Sequence, residues 1–382
     1  MTKGRKIKLS NQQKPKKGNQ TTKENAAKKR KTNSNSMKDL GGNEVEKIAK
    51  QIKKSNEMPN IKKLENDVLQ SIVGQDEQVK KIATAIYKSI SFSNLKSNIL
   101  VIGPSGTGKT ETIKQIAKRL HVPYTIEDAT RYTKAGYYGA DVEDMVFNLI
   151  ENANNDIKKA QKGIIVIDEI DKKVSGDCYD VGGNEVLKSL LKIIEGTKMK
   201  IEIGDDFLKS EVVDFDTRNI TVILLGAFAG LDKIREKRLN KKHLGFVTSE
   251  EKNQQEEKYL KDDLIKYGMP EEFIGRVDAI IEMNKLNKKD LALILKKSNL
   301  SIFRRYQNEL NYKGIKLKFD NKIFEEIAAR SLELDTGARE LSNTVNYIFE
   351  NIIYDVLAYP GKFKTCTLEN GIVEDNTKYK MS

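Results

Sequence analysis

The sequence predicts an α/β fold in which a parallel sheet covered by helices is followed by a smaller, mainly helical domain with a few short strands. Three observations carry this reading. From residue 97 short apolar runs alternate with helical stretches, the pattern of strands buried on both faces and joined by crossover helices. A glycine-rich stretch, GPSGTGKT at 103–110, lies between one such run and a helical pattern. After residue 285 the periodicity is mostly helical, with strand-like pieces at 315–319 and 363–367.

The elements follow in order. Residues 1–42 read as a basic, low-complexity, disordered tail. Residues 1–40 hold thirteen Lys and Arg against Glu24 and Asp39, which is +11 of the net +13. They contain no Phe, Tyr or Trp, so they attract phosphates without offering a surface on which bases stack. A solubilising arm is expected, and nucleic acid is not an expected partner except through it. The remaining 342 residues are close to neutral.

A large domain is expected over 43–284. Val45, Ile48, Ala49 and Ile52 repeat at helical spacing, as do Ile61, Leu64 and Val68, and then Val79, Ile82, Ala83, Ile86 and Ile90. Strands are expected at 99–102, 124–126, 164–167 and 220–225, with helices over 109–120, 141–161 and 184–195. Residues 231–262, highly charged and poor in apolar residues, read as a surface insertion. Residues 285–382 form the expected smaller domain. Cys178 and Cys366 are the only cysteines in the 382 residues, which excludes a disulfide scaffold and a four-cysteine zinc site and suits a reducing cytoplasm. No apolar run is long enough to cross a bilayer, and the N-terminus lacks the apolar core of a secretion signal. A membrane partner is not expected.

The chemistry is concentrated in the glycine-rich loop. In a Walker A motif the backbone of Gly103, Pro104, Ser105, Gly106, Thr107 and Gly108 curls so that N–H groups and a helix N-terminus face phosphate oxygens. Lys109 adds positive charge and Thr110 offers a hydroxyl to magnesium. The apolar run at 164–167 ends in Asp168 and Glu169, where an open parallel sheet places its ligands. This reads as a Walker B site: Asp168 for magnesium and its waters, Glu169 to orient or deprotonate the attacking water. Arg276, in PEEFIGR, and Arg339, in TGAR, are candidates to sense phosphate charge or ordinary surface arginines. Gly136-Tyr137-Tyr138-Gly139 reads either as a mobile aromatic tip or as a hairpin turn with packed tyrosines. Leu244-Gly245-Phe246 is an isolated apolar triplet that could also anchor its own loop.

Taken together, IVGQ at 72–75, GPSGTGKT, DATRYTKAGYYGADVED at 128–144, VIDEIDK at 166–172, LLKIIEGT at 190–197, GAFAGLDK at 226–233, PEEFIGR at 270–276 and TGAR at 336–339 resemble the ClpX-type AAA+ unfoldases. The resemblance runs from about residue 58 to about 360. It implies a homo-hexameric AAA+ ATPase that binds ATP and Mg2+ and threads protein substrates through a central pore. Val73 would then lie at the nucleotide, Arg339 would be the sensor-2 arginine, and Arg276 the arginine finger of a neighbouring subunit. Tyr137 and Tyr138 would belong to the pore loop, and Leu244, Gly245 and Phe246 would dock a ClpP-type peptidase. The related HslU lacks that loop.

There are departures. The family's N-terminal four-cysteine zinc module has no counterpart, so no zinc is expected. The Arg-Lys-His triplet of the pore entrance is missing from 198–210, the second pore loop at 174–184 diverges, and Leu225 and Gly226 leave the polar sensor-1 role without an occupant. Two other readings remain open: a remodeller of protein or nucleoprotein complexes that feeds no peptidase, and an ATPase stimulated by nucleic acid.

Overall fold

The four residues Ile99–Ile102 (β1) are all buried, and a strand apolar at every position must be covered on both faces. The sheet around it follows from that requirement. In this computed structural model the described residues are 58–92, 95–132, 141–174, 183–203, 211–243, 258–333, 337–373 and 376–382. Residues 1–57, with the basic stretch and the helical pattern at 45–52, lie outside them.

Pro59–Ser382 form one compact unit. Its helices and strands, in chain order, begin with α1 (Ile61–Leu69), α2 (Asp76–Ser91), β1, α3 (Lys109–Leu120), β2 (Tyr124–Asp128), α4 (Val142–Asn152), α5 (Ile157–Ala160) and β3 (Ile164–Asp168). They continue through α6 (Gly183–Glu195), β4 (Lys198–Ile203), β5 (Glu211–Asp216), β6 (Thr221–Gly226), α7 (Leu231–His243), α8 (Lys261–Tyr267), α9 (Glu271–Gly275) and β7 (Ala279–Glu282). The last are α10 (Lys288–Lys297), α11 (Ile302–Tyr312), β8 (Lys316–Lys318), α12 (Lys322–Glu333), α13 (Ala338–Ala358), β9 (Thr365–Val373) and β10 (Asn376–Met381).

Five strands pair in parallel in the order β2-β3-β6-β1-β7. Side chains alternate across the sheet. Leu100, Ile102, Ile165, Ile167, Val222 and Leu224 enter one core with Met145, Leu149 and Leu190. Ile99, Val101, Ile164, Val166, Ile223 and Leu225 enter the other with Leu64, Val79, Ile82, Ile113 and Ile116. Each such side chain contributes about 1.5–3 kcal/mol when fully buried. A third core gathers Leu291, Phe303, Ile327, Val345, Phe349, Ile352 and Cys366 from the helices after Leu286 and the β10-β9-β8 sheet. There Phe303 meets Phe319, Phe324 and Phe349 edge-on, with centroids 4.9, 5.0 and 5.4 Å away, geometry that aromatic quadrupoles favour.

Three departures from the sequence reading have physical causes. The helix expected over 141–161 is broken, because Asn154 and Asn155 take φ of 56° and 60°, a conformation asparagine tolerates. Asp156 then caps α5 by accepting from Lys159 N. The front of the charged stretch at 231–262 is the helix α7, held by buried Leu231 and by Arg238 paired with Asp263; residues 244–257 lie outside the described residues. The strands β4, β5, β7 and β10 were not among the expected elements. Among the described residues no helix is long and apolar enough to cross a membrane.

Candidate functional site

The turn from β1 into α3 sets the site. Gly103 N donates to Gly226 O at 3.2 Å, and a Cβ at Gly103 would lie 2.8 Å from Met283 Cβ, so only glycine fits between the strand ends. Gly106 and Gly108 have φ of 74° and 89°, the left-handed region that glycine enters without steric cost. Gly108 is also the N-cap of α3, which turns free N–H groups toward the loop.

Lys109 Nζ donates to Gly103 O at 2.5 Å and to Pro104 O at 2.9 Å. Burial pushes its pKa down, against the opposing pull of the Asp168, Asp171 and Glu169 carboxylates, while Arg339 pushes the same way as burial. Across the site Thr110 Oγ1 donates to Asp168 Oδ2 at 2.8 Å, and Glu169 N donates to Asp168 Oδ1 at 2.9 Å. Glu169 has φ of 57°. A non-glycine residue held there costs about 1–3 kcal/mol and signals a conformation fixed by its surroundings. Those surroundings include Asp171, 4% exposed, which accepts from Phe228 N at 3.1 Å. Phe228 is itself left-handed, at φ 51°.

Ser105, Gly106, Gly108, Lys109, Thr110, Asp168, Glu169 and Arg339 line one cavity of about 570 Å³. Ala227, the residue after β6, also lines it. A second cavity of about 190 Å³ shares Gly106, Thr107 and Gly108 with the loop and is walled by Ile72, Val73, Leu286, Ile294, Leu295 and Leu341. A polar cavity joined through the loop to an apolar slot suits a nucleoside triphosphate, phosphates in one and base in the other. A cavity of about 750 Å³ between α11 and α13 shares no residue with either.

Gln75 was not singled out from the sequence. It is fully buried; its Nε2 donates to Asn284 O at 2.8 Å and to Thr107 O at 3.3 Å, and its Oε1 accepts from Asn284 N at 2.9 Å. It therefore ties the Val73 segment to the loop and to the exit of β7.

Arg276 does not line the cavity that holds Asp168 and Glu169. It follows α9, and its guanidinium pairs with Glu195 at 2.7 Å, at the end of α6. Tyr137, Tyr138, Leu244, Gly245 and Phe246 lie outside the described residues.

A parallel sheet with a glycine-rich loop after β1 and an acidic pair ending β3 defines a P-loop nucleoside triphosphatase. Residues 94–280 match the family model of the AAA domain (Cdc48 subfamily), and residues 286–365 match that of the C-terminal, D2-small domain of ClpB protein. The ATP-dependent Clp protease ATP-binding subunit ClpX of Treponema denticola is 36% identical over 277 residues, covering 69% of this chain and 67% of that protein. The ClpX subunits of Borrelia duttonii and Borrelia recurrentis are each 35% identical over 270 residues, covering 68% of this chain and 63% of theirs. The chain belongs to the ClpX-type AAA+ ATPases.

Proposed function

We propose that this ATPase is a protein unfoldase that works as a homo-hexamer, threads substrates through a central pore and delivers them to a ClpP-type peptidase. The observation that carries the reading is a division of labour in the geometry. Lys109, Thr110, Asp168, Glu169 and Arg339 converge on one cavity, whereas Arg276 stands outside it. An arginine needed at the γ-phosphate but kept away from its own site is what a ring supplying it from a neighbour requires.

In this reading the loop N–H groups and Lys109 hold the phosphates, Val73 borders the base, and Glu169 orients and deprotonates the attacking water. The hydroxyl and carboxylate of Thr110 and Asp168 form an oxygen donor pair of the kind Mg2+ takes. The ion would neutralise phosphate charge when bound. Arg339 lies at the start of α13, whose first N–H already contacts the phosphate loop, so loss of the γ-phosphate is felt directly by the helices of the third core. Their rotation would move Tyr137 and Tyr138 against a polypeptide in the pore. Leu244, Gly245 and Phe246 would dock the peptidase, a partnership supported by the names of the relatives. No zinc module is invoked, and a cytoplasmic setting suits the activity.

The test is loss of fluorescence from a tagged, stably folded reporter with ATP, with and without a ClpP-type peptidase. Unfolding that needs ATP, and degradation that needs both, is the expected result. A protein that stays monomeric and inert with saturating magnesium nucleotide contradicts the reading.

A further inference from the structure

Asn98 precedes β1 and is 7% exposed, and each of its polar atoms is bonded to a remote part of the chain. Its N donates to Asp278 Oδ2 at 2.7 Å, and its O accepts from Asp278 N at 2.8 Å. Oδ1 accepts from Val222 N at 3.2 Å, while Nδ2 donates to Ile194 O at 3.4 Å and to Arg276 O at 3.5 Å. The Val222 bond joins β1 to β6 and accounts for an acceptor at this position. It does not account for the amide's donors, and both carbonyls they reach adjoin one ion pair. That pair is Arg276 with Glu195, at 2.7 Å. Glu195 ends α6, directly after Ile194. The carbonyls of Ile193 and Ile194 also accept from Lys96 Nζ, a cation where the negative end of a helix dipole favours one. Ile194 and Val277, the chain neighbours of the two partners, are 4% and 1% exposed. A half-exposed ion pair, of a kind that contributes little to stability, therefore stands on a buried polar frame.

The frame has a fixed place relative to the nucleotide cavity. β1 and β7 run in parallel with Ile99 opposite Ala279 and Ile102 opposite Glu282. Asn98 and Asp278 thus lie at one end of these strands, and Gly103 follows Ile102 at the other. The four residues of β1 separate the two ends, a span of roughly 13 Å. We propose that Asn98 and Glu195 are positioning residues for Arg276. Asn98 fixes the backbone that carries the guanidinium and the turn that carries Glu195, and Glu195 holds the guanidinium itself. That Arg276 acts on nucleotide rests on the function proposed above; the frame around it does not.

A residue that acts only through Arg276 has no effect once Arg276 is gone, so the test is a double-mutant cycle on ATP turnover in the full-length protein. Misplacing a reacting group by about 1 Å lowers turnover by up to roughly 10²-fold. Asn98→Ala is therefore expected to lose roughly tenfold or more in kcat, while ATP binding, measured with a fluorescent nucleotide, stays unchanged. In the Arg276→Ala background the same substitution should take nothing further from the residual turnover. A merely structural role would lower turnover by the same factor in both backgrounds. Glu195→Gln removes the ionic partner at the surface, leaves the frame intact, and should likewise lower kcat only while Arg276 is present. If a thermal melt shows that Asn98→Ala does not fold, Glu195→Gln in the same cycle decides alone. Full turnover in either folded variant, or equal losses with and without Arg276, overturns the proposal. Turnover untouched by Arg276→Ala itself overturns the reading of that arginine and the proposal with it, a result distinct from a failed positioning role.

Discussion

The backbone N–H of Ala338 donates to the carbonyl of Gly106 at 3.2 Å, so the first turn of α13 rests on the phosphate loop. Helices after Leu286 have their own core, and this contact couples that core to the nucleotide cavity.

Gly337 makes the contact feasible. Its φ of 60° and ψ of −140° lie where essentially only glycine is found. A Cβ there would sit 3.1 Å from Ser105 O and 3.3 Å from Gly106 O. Gly337→Ala is expected to push α13 off the loop, a penalty of about 1–3 kcal/mol, and so to weaken nucleotide binding by roughly tenfold. Titration with a fluorescent nucleotide checks this, alongside a thermal melt showing that the variant is folded. Unchanged affinity would mean that nucleotide does not sense the helix.

What was legible in the sequence was local. Gly103, Gly106 and Gly108 announce their loop because a short stretch of chain needs their backbone freedom, and Ile99–Ile102 announces its strand because all four side chains are apolar. Legibility ended where a partner is remote. Ala279–Glu282 is a strand only because it pairs with β1; alone it is two isoleucines beside an acid. Gln75 finds its partner 209 residues away, and Glu195 meets Arg276 only after folding. Spacing carries no trace of these pairs. The break after Asn152 is different: Asn154, Asn155 and Asp156 formed a turn signal that helical periodicity on either side concealed.

Arg276 and Glu169 can be separated by mixing. Each of Arg276→Ala and Glu169→Gln is expected to lose roughly 10²-fold or more in ATP turnover while still binding nucleotide. In the ring proposed above, an interface between an Arg276→Ala subunit with intact Glu169 and a Glu169→Gln subunit with intact Arg276 would be complete. Turnover of the mixture above that of either variant alone is therefore the expected result. A mixture as inert as its components would assign both residues to the same subunit's site.

The ion pair Arg238–Asp263, at 3.0 Å with side chains 11% and 0% exposed, joins α7 to α8. Asp263 also accepts from Leu260 N at 3.0 Å, so its removal uncaps a helix and takes the buried carboxylate from a guanidinium that also donates to Lys258 O at 2.9 Å. Asp263→Ala is expected to cost about 3–5 kcal/mol in urea unfolding. Glu77→Ala is the control, because Lys81 and Glu77 pair at 3.4 Å with side chains 50% and 82% exposed, and exposed pairs contribute about 0–1 kcal/mol. Equal costs would show that burial is not what makes the inner pair matter.

Lys96 gives stability an alkaline pH dependence of definite sign. Its Nζ donates to Ile194 O at 2.9 Å and Ile193 O at 3.4 Å, at the C-terminal end of α6. Burial lowers its pKa from 10.5 to about 8, with Asp278 opposing the shift. Below pH 8 the ammonium is charged in both states, and its desolvation weighs on the folded chain. Between about 8 and 10.5 the folded chain has released the proton while the unfolded chain still holds it. The unfolded state then binds more protons, so the contribution of this group to stability rises with pH across that window and levels off above it. Lys96→Met keeps the length and apolar stem of the side chain but cannot titrate. Urea midpoints of the two proteins from pH 7 to 10 should therefore diverge, the parent gaining relative to the variant as pH rises. Parallel curves would show that the ammonium is already solvated in the folded chain.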